Sequence, residues 1–139
     1  MLHDILEDTT VTAEELAAEF GTEVITGVLA LTRNKLLPKT GQMIDSLLRL
    51  KTSFPKVRAV KLAERITNLQ KPPMSWTNEK KQNYLFEAEL ILKELGETNE
   101  YLEKRLELKI EEYRGVYIRI KFLISFEQSV LFGVFTLQC

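Results

Sequence analysis

The sequence has one cysteine and one histidine in 139 residues. Cys139, at the last position, leaves no internal disulfide to form and fits a reducing cytoplasm, although under oxidation it offers a link between two chains. With His3 as the only imidazole, no Cys–His or Ser–His nucleophile arrangement can be assembled. A glycine-rich phosphate loop is missing too. Charge of one sign is also lacking: nineteen basic against twenty acidic residues leave a net charge of −1, so nothing draws the whole molecule to nucleic acid or to an anionic membrane. The uncharged run after Glu127 is about a dozen residues, short of the roughly 18 to 20 that cross a bilayer, so no membrane span is expected. Asp4, Glu7 and Asp8 interrupt any apolar leader. What remains is 45% hydrophobic, enough for the core of one soluble domain.

The chemistry concentrates at the amino end. Met-Leu-His-Asp-Ile-Leu-Glu-Asp places an imidazole and three carboxylates within six positions. At roughly 100° per helical residue, Met1, Leu2, Ile5 and Leu6 fall on one half of the turn and His3, Asp4, Glu7 and Asp8 on the other. Asp4 and Asp8 are i,i+4 neighbours, and like charges at that spacing repel by a few tenths of a kcal/mol, a penalty that a cation would offset. The acids alone are explained by the preference of Asp and Glu for a first helical turn. The histidine is not. Neutral imidazole beside carboxylates suits borderline divalent ions such as manganese, iron or zinc better than calcium.

The punctuation downstream is that of short helices. Thr12 with Glu15 is a capping-box pattern, and Gly21 is placed to end the helix it starts. Glu23 to Thr32 has a wide apolar face, Arg33 to Thr40 reads as a loop around Pro38, and Met43 to Lys51 is helical again. Between Lys56 and Leu69, Ala59, Leu62, Ala63, Ile66 and Leu69 share one side, while Lys61, Glu64, Arg65 and Asn68 form a narrow charged seam. Such a seam either faces a site or is a surface stripe. Pro72 and Pro73 stop this helix, and Thr77 caps a longer one through Leu95, closed by Gly96. The spacing of Leu102, Leu106, Ile110 and Tyr113 predicts a last helix from about Asn99, ended by Gly115. Beyond it, apolar Val116, Ile118, Ile120, Phe122, Ile124 and Phe126 recur with a period of two, which predicts a strand, with a terminal hairpin through Leu137.

Two stretches, LHDILEDT (Leu2 to Thr9) and VKLAERITNLQ (Val60 to Gln70), resemble the signatures of the HD-domain hydrolases of the RelA/SpoT type. These enzymes remove the 3′-pyrophosphate from guanosine tetra- and pentaphosphate. The intervening VTAEELAAEFGTEVITGVLALTR (Val11 to Arg33) follows the same family pattern, and the likeness covers roughly Met1 to Tyr113. It implies an all-α, HD-domain helical bundle over residues 1–114; residues 115–139 lie outside the likeness and are expected to form an apolar extension, strand-like or irregular.

Residue by residue, the resemblance implies that His3 and Asp4 bind a divalent metal, typically Mn2+, and that Glu7 and Asp8 position or activate the attacking water. Glu64 stands where the family usually has a ligating aspartate, one methylene shorter. Asn68 matches a residue that contacts the nucleotide. Lys61 and Arg65 belong to the same substrate-binding motif, with two roles open to them: holding phosphate or pairing with nearby acids. The family draws a further metal-binding histidine from a helix upstream of the His-Asp doublet, so an incomplete, amino-terminally truncated site is expected here. The partner expected is a guanine nucleotide in the cytoplasm, with no nucleic acid and no membrane. Two rival readings are a degenerate HD domain that binds a nucleotide or a protein without catalysis, and a fragment whose apolar tail self-associates as a homo-oligomer, since an exposed edge strand invites pairing between chains.

Overall fold

The computed structural model describes the backbone of residues 2–135, and the side chains of that span apart from those at 2, 3, 7, 117 and 120–135. Seven α-helices and one short 3-10 turn follow one another over the described residues: α1 (Leu2–Asp8), α2 (Ala13–Phe20), α3 (Thr22–Leu31), α4 (Lys39–Lys51), α5 (Pro55–Asn68), α6 (Asn78–Leu95), the turn Gly96–Thr98, and α7 (Glu100–Phe135). The starts are where the local chemistry puts them. The Glu15 N–H donates to Thr12 Oγ1 at 3.2 Å while the Thr12 N–H donates to Glu15 Oε2 at 2.8 Å, so both halves of the capping box form. Thr77 caps α6 by accepting from the Lys80 N–H at 3.2 Å. Gly21 has φ of 86°, a left-handed conformation open to glycine, and it serves both as the end of α2 and as the start of α3.

Two apolar clusters hold the helices. The smaller joins Leu16 of α2 to Ile25 and Val28 of α3, with Leu6 of α1 packed against it. The larger takes Ala30 and Leu31 of α3, then draws on every later helix, with Leu50, Leu62, Ile91, Leu95 and Leu106 at its sealed centre. α3 therefore carries α1 on one side and packs against α5 on the other. The approach to α5 is close: a Cβ added at Gly27 would meet Val57 Cγ2 at 2.8 Å, too near for any side chain without displacing Val57. Arg49 of α4 ties down the end of α3, donating to the Leu29 and Thr32 carbonyls while its Nη2 pairs with Asp45 at 2.9 Å. Those carbonyls would otherwise lack intrahelical partners.

The carboxyl end departs from the sequence expectation. The strand over Val116–Glu127 and the hairpin beyond it do not form; α7 continues through Gly115 to Phe135, and residues 136–139 lie outside the description. Nothing stands within 4 Å of a Cβ at Gly115, and a glycine inside a helix costs only about 1 kcal/mol relative to alanine. Extending an existing helix needs no new nucleus, whereas an isolated hairpin is marginal at best in water. A period of two is also a weak signal where most positions are apolar. Among the described residues, no helix is long and apolar enough to cross a membrane.

A surface pair offers a pH test. The Lys51 ammonium beside Glu94 holds that carboxyl below its ordinary value of 4.5, chiefly by donating a hydrogen bond, against a smaller opposing effect of burial. A depressed carboxylate stabilises the fold fully above its unfolded value and stops doing so as pH falls through the lower native value. Unfolding midpoints of wild type and Lys51→Met should thus differ at neutral pH and converge on acidification below about 4.5; a gap that widened in acid would contradict this pairing.

Candidate functional site

Helix α1 presents its apolar half, through Leu6, to the α2–α3 cluster, which leaves Asp4 and Asp8 exposed on the other half. The side chains of His3 and Glu7 lie outside the described ones. Among the described residues, no group of three His, Cys, Asp or Glu stands in an arrangement that would hold a metal ion. The set expected at His3, Asp4 and Glu64 includes one side chain beyond that description. As a donor set, an imidazole with two carboxylates fits a borderline divalent cation.

The seam of α5 is not the solvated stripe that its composition would also allow. Lys61 and Arg65 are 3% and 4% exposed, and Ala63, expected on the apolar side, is exposed instead. Burial of two cations requires paired acids. Lys61 Nζ donates to Glu64 Oε2 at 2.9 Å, and Arg65 Nη2 donates to Glu87 Oε2 of α6 at 3.1 Å. Arg33, from the loop after α3, reaches within 4.0 Å of the same Glu87 oxygen. Of the two roles open to Lys61 and Arg65, pairing with acids is the one these atoms display. Asn68, the last residue of α5, is exposed.

An aromatic group completes the seam. The Arg65 guanidinium lies 4.5 Å from the Tyr84 ring centroid, Trp76 meets that ring edge-on at 5.2 Å, and Lys80 sits 4.4 Å from the Trp76 ring. The Tyr84 hydroxyl donates to the Asn68 carbonyl at 3.2 Å. Sequence reasoning placed α6 correctly but missed Tyr84 and Glu87 as neighbours of the α5 seam. The available signal was their i,i+3 spacing beside buried Ala88, polar groups set where a core stripe belongs. Arg33 also lines an open groove of about 490 Å³ between α3 and α4, with Thr26, Thr32, Asn34, Asp45 and Arg49.

Comparison with known proteins agrees with this architecture. No protein-family model matches the chain. It is 34% identical over 120 residues to the mouse (Mus musculus) guanosine-3′,5′-bis(diphosphate) 3′-pyrophosphohydrolase MESH1, covering 84% of this chain and 66% of that protein. It is 33% identical over 122 residues to the human (Homo sapiens) MESH1, covering 85% and 68%. A solved structure described as a metazoan orthologue of SpoT that hydrolyses ppGpp superposes with a TM-score of 0.71 at 30% identity, over 83% of this chain and 66% of that one. The chain thus spans about two thirds of the length of the curated relatives it matches. The fold is the all-α HD domain of phosphohydrolases. Within that class the chain belongs to the MESH1 family of (p)ppGpp 3′-pyrophosphohydrolases, related to SpoT.

Proposed function

We propose that this chain hydrolyses the 3′-pyrophosphate of guanosine tetra- and pentaphosphate at a site shared by α1 and the α5 seam. The observation that carries the reading is the 33% identity to the human MESH1 over 122 residues, 85% of this chain. In this proposal His3, Asp4 and Glu64 hold a divalent ion, taken to be manganese, which when bound supplies Lewis acidity toward water and phosphate. Glu7 or Asp8 accepts the proton of the attacking water. Water adds at phosphorus, the bond from phosphorus to the ribose 3′ oxygen breaks, and that oxygen leaves protonated, giving pyrophosphate and the guanosine 5′-diphosphate or 5′-triphosphate. Asn68 holds the nucleotide, with Lys61 and Arg65 behind it. We infer a cytoplasmic location from the single cysteine. Residues 1–114 form the hydrolase domain and 115–139 its extension, a route to self-association through a helix on which Ile118 is 62% exposed.

One observation favours a second reading. The Glu64 carboxylate is already held by the buried Lys61 at 2.9 Å, an arrangement that suits a non-catalytic HD module binding the nucleotide alone. Incubation of the full chain with guanosine tetraphosphate and manganese separates the two. Release of pyrophosphate, abolished by a chelator, is the expected result. Nucleotide binding without release would favour the module.

A further inference from the structure

Arg65 is a buried cation whose own bonds leave it incompletely satisfied. Nη2 pairs with Glu87, yet among the described residues the buried Nη1 finds no acceptor. An orphaned buried donor costs about 1–3 kcal/mol, and a well-packed apolar residue of similar volume would avoid it. Stability of the pair alone therefore does not account for a guanidinium here. What the guanidinium does cover is the ring of Tyr84, whose hydroxyl reaches the Asn68 carbonyl at 3.2 Å. The same carbonyl accepts from the Gln70 N–H at 2.9 Å, and the Leu69 N–H returns to the Arg65 carbonyl at 2.8 Å. Contacts thus start from Arg65 and close on Arg65 around the final turn of α5, where Asn68 is exposed and a helix end would ordinarily fray.

We propose that Arg65, anchored by Glu87, is a positioning residue that fixes the end of α5 through the ring of Tyr84 and thereby sets affinity for the guanine nucleotide. The inference rests on the hydrolase reading, in which Asn68 contacts that nucleotide. Lysine is a poor substitute: an ammonium can pair with Glu87 or sit over a ring, but it lacks the planar fork that does both at once.

The test compares Arg65→Lys, Glu87→Gln and Tyr84→Phe in the full chain. Each should raise KM for guanosine tetraphosphate about tenfold and leave kcat within about twofold, the split expected when positioning is lost without loss of the reacting groups. Because the three act in series, the double variant Arg65→Lys/Tyr84→Phe should be no worse than either single one. Amide exchange at Leu69 and Gln70 should accelerate about tenfold in every variant, with Ile91 and Leu95 of α6 unchanged. Folded variants with wild-type KM, or single effects that multiply to about a hundredfold, would overturn the proposal. If the wild type releases no pyrophosphate, the hydrolase reading falls, and the exchange rates decide: faster exchange sustains the clamp on α5 and unchanged exchange removes it.

Discussion

Asp4→Asn should lower kcat/KM for guanosine tetraphosphate by about a thousandfold, a loss of roughly 4 kcal/mol of transition-state stabilisation. The amide keeps the shape of the side chain and removes the charge that a divalent cation requires. Asp4 is exposed on α1, and Leu6 on the opposite half packs against the α2–α3 cluster, so the substitution leaves the apolar core intact. A cooperatively folded variant with a collapsed rate is therefore the expected signature. A variant retaining more than about a tenth of wild-type activity would remove Asp4 from the metal set. Glu64→Asp, which restores the shorter carboxylate of the resembling family, should act in the other direction and weaken the hold of Lys61 on this position.

Leu62→Ala should destabilise the fold by about 2–5 kcal/mol, the range for truncating a fully buried leucine. Leu62 is wholly inaccessible and sits on the helix packed against α3, α4, α6 and α7 at once. Its loss leaves a cavity with neighbours on every side, and those neighbours are themselves sealed, which limits collapse into the space. Urea denaturation should show a lower midpoint with an unchanged slope. A shift worth less than about 1 kcal/mol would mean that α5 is not the central element of this core.

Much of this was legible in the residues. Thr12 with Glu15, Gly21, Thr77 and the Pro72–Pro73 break mark helix ends through local chemistry, and local chemistry survives folding. The carboxyl end was misread because alternation predicts a strand only where a partner strand exists, and α7 was already under way when the alternating stretch began. At the site, the seam of α5 was visible as a charged stripe on an otherwise apolar helix. That Lys61 and Arg65 would be buried was not, since burial depends on Glu64 one turn along and on Glu87, which is distant in sequence. Tyr84 escaped notice for the same reason: its role comes from a cation and a carbonyl on another helix, and no periodicity encodes that meeting.

If α1 and α5 carry the donors of one site, a single cation should join them. Equilibrium titration of the purified full chain with manganese, read by metal analysis after dialysis, should give about one ion per chain for wild type and a large loss of binding in both Asp4→Asn and Glu64→Ala. Equal metal content in all three proteins, or none in any of them, would show that α1 and α5 do not share an ion.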